Sequence, residues 1–234
     1  MFQTFRKFLI LLGAGLVCGL ALPAAAAPVL IDLTDPQPWS GANGKTSFST
    51  VIGDLTVTLT AHGSGTPKMT FNSASGEASG CASGHNGSPA HDLVCGGDGI
   101  GIGDDEITEG GTEQIHVTFS RPIHLVNIEL LDLFNNNTEI EKALISLDNG
   151  ATFSMFLSND NLGGYYSTQL GGYAVSRIIF KAYNDAVSDY AVARLAIYMN
   201  DVPEPGATAL FLFGLAGLKV MRRRKDAPGQ RPAA

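Results

Sequence analysis

The amino-acid sequence predicts an all-β protein, an antiparallel β-sandwich of jelly-roll-like kind. Three observations lead there. Apolar and polar residues alternate over many short segments, the period-two pattern of strands with one buried face. Glycine-rich turns separate those segments. Amphipathic helical periodicity is almost absent between residues 28 and 201.

Taken from the N-terminus, the first element is a secretory signal over residues 1–27. Arg6 and Lys7 precede an apolar run from Phe8 to Leu22, and Pro23 and a string of alanines ending at Ala27 follow. That charged, apolar, small-residue order marks a cleavable signal, and the Ala25-Ala26-Ala27 run places the mature N-terminus at Pro28. Cys18 lies inside the discarded segment.

Residues 28–201 are then the β-domain. Leu55–Thr60 alternates apolar residues with threonine, and Ile115–Phe119 and Val126–Leu130 repeat the pattern, with Leu131-Asp132-Leu133 following. Ala143–Leu147, Thr152–Leu157, Val175–Tyr183 and Val192–Met199 complete the predicted strands. Asp148-Asn149-Gly150 is a hairpin signal, and Gly163-Gly164 and Gly171-Gly172 bracket a predicted Tyr-rich loop. No internal repeat of fixed period is present.

This domain carries 7 Lys and Arg against 20 Asp and Glu, a formal charge of −13. Such a surface repels phosphate backbones, which excludes nucleic acid as a partner and makes divalent cations plausible companions.

Residues 72–113 break the strand pattern with a long stretch of Gly, Ser, Ala and Asp, a length at which loops are functional or flexible. It holds Cys81 and Cys95, spaced with two histidines as Cys81-x3-His85-x5-His91-x3-Cys95. Two thiolates and two imidazoles could form a tetrahedral zinc set, but no tight ligand pair is present. An oxidising location and two cysteines in the mature chain favour a Cys81–Cys95 disulfide.

Asp98-Gly-Ile-Gly-Ile-Gly-Asp104-Asp105-Glu106 is the second candidate in the loop. Asp98, Asp104, Asp105 and Glu106 are hard oxygen ligands of the type calcium takes, on a backbone that glycine lets turn sharply. The spacing does not match an EF-hand, and an acidic, solvated turn is the competing reading.

Catalytic signals are lacking. Gly-x-Ser-x-Gly is absent, and Ser64 in Gly63-Ser64-Gly65 has no strand-to-helix context. His62, His116 and His124 fall on or beside predicted strands with no visible catalytic partner. The chain is read as not an enzyme.

The last element is a tail over residues 202–234. Val202-Pro203-Glu204-Pro205 opens it, and the two prolines stop any strand or helix. An apolar stretch from Gly206 to Leu218 follows, extended to Met221 across Lys219, and ends in the basic cluster Arg222-Arg223-Arg224-Lys225. The stretch is short of the about 18–20 residues that span a bilayer comfortably, and a snorkelling Lys219 extends its reach. The arginines hold that end on the cytoplasmic side.

This tail resembles the PEP-CTERM sorting signal. Pro203, Glu204 and Pro205 match the motif residue by residue, ahead of a short apolar helix and an Arg-rich end. Lys219 and the polar residues 226–234 depart from the usual pattern. The resemblance implies an exosortase-type membrane enzyme as processing partner and a transient stay in the membrane through the C-terminal helix. It also implies a final place at the cell surface or in an exopolysaccharide or biofilm matrix. The Gly-Ile-Gly and Asp105-Glu106-Ile107 segments also resemble the bodies of some such proteins, which carries no activity across. Function is therefore expected to be non-catalytic matrix binding. A secreted carbohydrate-active enzyme and a calcium-dependent adhesion module are the alternatives.

Overall fold

The computed structural model describes residues 27–72, 81, 92–104, 106–108, 112–135, 139–158 and 163–199. The expected signal segment, His85, His91, Asp105 and the whole sorting tail lie outside the described residues. The strands, in chain order, are β1 (Val29–Asp32), β2 (Ser47–Ile52), β3 (Leu55–His62), β4 (Met69–Thr70) and β5 (Gly101–Ile102). Then come β6 (Gln114–Leu131), β7 (Lys142–Ser146), β8 (Ser154–Leu157), β9 (Tyr166–Ala182) and β10 (Ala191–Met199). A short helical turn, α1 (Pro36–Trp39), sits between β1 and β2. Asp35 caps α1 by accepting the Gln37 N–H at 2.8 Å, and the turn drops Trp39 into the core.

The chain is mostly β, and every strand pairing is antiparallel. Two long strands organise it. β6 lies against β9 along most of its length, from Gln114 opposite Lys181 to Leu130 opposite Tyr166. On its other edge β6 changes partner: Gln114–Phe119 pairs with β3, and Ile123–Leu131 pairs with β10. The edge order is β1-β10-β6-β9-β7-β8, with β3 and then β2 beside the first half of β6.

Sequence alternation predicts two strands here, Ile115–Phe119 and Val126–Leu130. The structure keeps one strand and moves the break to its partners. Pro122 has no N–H to donate, so it fits the stretch between the last β3 pair at Phe119 and the first β10 pair at Ile123. The predicted Tyr-rich loop is likewise strand. β9 starts at Tyr166 and runs through Gly171-Gly172, where Gly172 adopts φ +77°.

One hydrophobic core gathers side chains from both halves of the sheet. Leu55, Val57 and Leu59 of β3 and Ile115, Val117 and Phe119 of β6 belong to it, as do Val192, Leu195 and Ile197 of β10. Each such side chain contributes about 1.5–3 kcal/mol by leaving water. β10 is buried on both faces from Ala191 to Ile197. Its second face, at Ala193, packs with Leu131, Tyr165, Leu93 and the two cysteines.

The long 72–113 segment is therefore not simply a surface loop. Ile100, Ile102 and Ile107 are fully buried or nearly so. Ile100 and Val192 exchange backbone hydrogen bonds at 3.0 Å, and Ile107 N–H donates to the Tyr190 carbonyl at 2.8 Å. Past the end of β1, these residues continue along the free edge of β10. Gly99 makes that approach possible: its φ is +105°, and a Cβ there would stand 2.8 Å from the Val192 carbonyl oxygen. Gly99 thus lets backbone meet backbone.

Candidate functional site

A cleft of about 310 Å³ opens between β7, β8 and the first half of β9. Its floor is apolar, with Ile128, Ile145 and Val175 reaching it from the core. Phe156 and Tyr173 form its walls, and Asp148, Thr152 and Ser154 supply the polar rim. Tyr173 is 57 % exposed, so its ring stands open to solvent at the cleft. Phe156 is braced edge-to-face against Tyr166, ring centroids 6.1 Å apart.

The turn after β7 fixes the polar rim. Asn149 and Gly150 both take positive φ, 60° and 90°, the backbone an Asn-Gly hairpin turn requires. Asp148 accepts from Ser146 Oγ at 2.7 Å, from Thr152 N at 2.9 Å and from Thr152 Oγ1 at 2.6 Å. The Thr152 hydroxyl and amide, then the Ser146 hydroxyl, hold its carboxyl down at about 2. Asp148 is thus a fixed, ionised acceptor. Next to the cleft, His124 Nδ1 lies 3.0 Å from the Gly172 carbonyl, which can only accept, so Nδ1 carries the proton. This bond ties β6 to the glycine pair that precedes Tyr173.

Cys81 and Cys95 are joined in a disulfide, with Cα atoms 5.5 Å apart. That removes both thiolates from any zinc set. The Cys95 arm is tied to the chain just after β1. Asp32 Oδ2 accepts from Val94 N at 2.9 Å, Thr34 Oγ1 accepts from Cys95 N at 3.0 Å, and the Thr34 carbonyl accepts from Gly96 N and Gly97 N.

Of the four acids expected as calcium ligands, Asp98 is 3 % exposed and its Oδ1 accepts from Asn72 N at 3.2 Å. Asp104 sits exposed in a turn, and its backbone carbonyl takes the Asn72 side-chain amide at 3.0 Å. Glu106 is half-buried, and its carbonyl accepts from Ile102 N at 3.0 Å. Among the described residues no group of three or more His, Cys, Asp and Glu side chains is placed to hold a metal ion.

Two further clusters escaped the sequence. His62 and His116 stack with ring centroids 3.9 Å apart, and the His116 imidazole is pushed down to about 4, by burial first and then by the neighbouring His62 and Arg177 charges. The second cluster centres on Glu141, whose Oε2 accepts the Phe134 N–H while its side chain bonds that of Asp189. Burial, then the negative charges of Asp189 and Asp132, push its carboxyl up to about 8 against the opposing Phe134 hydrogen bond. Folding therefore favours protonated Glu141. The stability this contributes is complete below the usual carboxylate range and is lost as pH rises through about 8. Glu141→Gln keeps an acceptor for Phe134 and offers an N–H to Asp189 without ionising. The variant is expected to melt above the wild type at pH 8.5 and to coincide with it near pH 4.5, read from thermal melts across that range.

The cleft gives no sequence signature because its residues come from three separated segments, 128, 145–156 and 170–175. Only the Asp148-Asn149-Gly150 turn hinted at it.

No curated protein sequence matches the chain. Among solved structures, the exo-beta-1,3-galactanase of Phanerochaete chrysosporium with galactose is similar at 14% identity and a TM-score of 0.36, over 75% of this chain and 30% of that one. A structure of the same enzyme with beta-1,3-galactotriose gives 12% identity and a TM-score of 0.35, with the same coverage of 75% and 30%. The chain thus spans about a third of that enzyme's length. Residues 201–225 match the family model described as the PEP-CTERM protein-sorting motif. That segment, with Pro203, Glu204 and Pro205 at its head, is the signal of an exosortase substrate, a protein exported and sorted to the cell surface.

Proposed function

We propose that this is a non-catalytic surface or matrix protein whose β-domain, a jelly-roll-like β-sandwich over residues 28–201, holds a segment of exopolysaccharide in the cleft between β7, β8 and β9. The observation that carries the reading is the exposed Tyr173 ring beside a fixed polar rim. A sugar ring presents C–H groups on one face and hydroxyls at its edge. Tyr173 and Phe156 suit the first, and Asp148, Thr152 and Ser154 suit the second.

Asp148 supports binding over hydrolysis. Glycoside hydrolysis takes a second carboxyl about 5–9.5 Å from the first, and one of the pair must carry a proton. Asp148 is the one acid among the described residues lining the cleft, and its hydrogen bonds keep it ionised. In this reading the sorting tail brings the chain to an exosortase-type membrane enzyme that acts at Pro203-Glu204-Pro205, with residues 206–221 as a temporary anchor.

A glycan array probed with the exported protein tests the cleft. Binding to one class of neutral glycan is expected, with at least a tenfold loss in Tyr173→Ala and no release of reducing sugar. Turnover, or unchanged binding in Tyr173→Ala, would overturn the reading.

A further inference from the structure

The outward face of β2, β3 and the first half of β6 is chemically uniform. By the strand registers its positions are Ser, Thr, His or Gln, with Val51 as the exception. Hydroxyls pair across it, Ser49 with Thr58 at 2.8 Å, and the stacked His62 and His116 stand at its upper end. The adjoining part of β9 adds Arg177, opposite Thr118, and Lys181, opposite Gln114, with the buried, apolar Ile179 between them opposite His116. No outward position on these strands holds a carboxylate.

That is unexpected in a domain whose acids outnumber its bases almost threefold. Of the five other basic side chains, three are neutralised: Arg121 by Asp54 at 2.9 Å, Lys142 by Asp185 at 2.6 Å and Arg194 by Glu129 at 2.8 Å; Lys45 and Lys68 precede β2 and β4, away from this face. Arg177 and Lys181 make no ion pair among the described residues. The Arg177 Nε donates to Thr118 Oγ1 at 3.3 Å, and the Lys181 ammonium stands 5.9 Å from the Phe153 ring centroid. Both charges are steered by neighbours and left uncancelled.

We propose that this face binds an acidic polysaccharide, with Arg177 and Lys181 pairing carboxylates on the chain and the Ser, Thr and His side chains meeting its hydroxyls. Charge complementarity selects the occupant. An anionic polymer is repelled by a domain at −13 as a whole and meets on this face a carboxylate-free strip carrying two positive charges. The cations stand four residue steps apart, about 13 Å at 3.3–3.4 Å per residue, a span that takes a short run of sugars. His116 is neutral at ordinary pH, so its ring offers hydrogen bonds where the cations offer charge. Nucleic acid fits less well: its affinity grows with the number of phosphates neutralised, and two cations release few counterions. The inference stands apart from the cleft, which lies on other residues.

Polygalacturonate is the probe, titrated against the exported protein, with dextran as neutral polymer and single-stranded DNA as a second polyanion. Binding of polygalacturonate is expected, weakening as salt rises, with at least a tenfold loss in Arg177→Gln/Lys181→Gln and none in Tyr173→Ala. Circular dichroism and melting temperature check that the double variant is folded. Should it not be, Lys181→Gln alone reads the effect, since its ammonium makes no hydrogen bond among the described residues. No binding of polygalacturonate, equal binding by the variant, or DNA bound as tightly through the same two residues would overturn the proposal.

Discussion

Arg194→Ala is expected to cost about 3–5 kcal/mol of stability, a large share of the about 5–15 kcal/mol that holds a domain folded. Arg194 is 7 % exposed and Glu129 4 %, on neighbouring central strands, with Nη2 to Oε1 at 2.8 Å. Asn127 Nδ2 adds a second bond to the same Oε1 at 3.0 Å and reaches Ser167 Oγ at 3.2 Å. Truncating the arginine leaves the carboxylate charged and buried, with Asn127 and Tyr165 as poor substitutes for a cation. Tyr165 already has its phenol pushed up to about 12, by burial first and by the Glu129 charge second. The penalty belongs to the orphaned charge more than to the lost pair. Arg194→Met combined with Glu129→Leu is therefore expected to recover most of the loss. Urea unfolding of the wild type, the single and the double variant checks both statements; a single variant within 1 kcal/mol of the wild type would contradict the first.

The second large effect is expected from Cys81→Ala/Cys95→Ala. The bridge closes a loop with a sequence separation of 14, for which the chain-entropy model gives about 3 kcal/mol. The damage should be lopsided. The Cys95 arm keeps its hydrogen bonds to Asp32 and Thr34, whereas Cys81 loses its covalent link to that anchored arm. Limited proteolysis of the variant should cut between residues 73 and 93 first, while β1 and β10 stay protected. Thiol labelling of the non-reduced exported protein should find no free cysteine in the mature chain. Cleavage distributed over the whole domain would show that the bridge holds the sheet rather than the loop.

The legible parts of the structure are those carried by local chemistry. Threonine alternation at Leu55–Thr60 reads as a strand because one face is dry and the other wet. The disulfide reads because two cysteines in an oxidising compartment have one partner each. The sorting motif reads because its order is fixed along the chain. What stayed hidden depends on partners distant in sequence. Ile115–Phe119 and Val126–Leu130 look like two strands until β3 and β10 are seen to share one edge of β6. The need for Gly99 shows only once the Val192 backbone is placed against it. The short β1 and the polar β2 have too little alternation to stand out. Tyr173 sits in a strand that a double glycine disguised, so the cleft it lines was missed with it.

The strand register also constrains when this protein can fold. Val29–Asp32 at the start of the domain pairs with Arg194–Ile197 near its end, and β10 lies between β1 and β6 in the interior of the sheet. The last strand to be synthesised is thus a central one. A nascent chain lacking it presents β6 with half an edge unpaired and leaves the core open along Leu125, Ile128 and Leu130. Contacts of such long sequence separation form slowly, after the loops between them have closed. Until β10 is available, β1 has no partner strand and the second half of β6 lacks one of its two edges. Completion of the sheet therefore waits for the far end of the domain to be made.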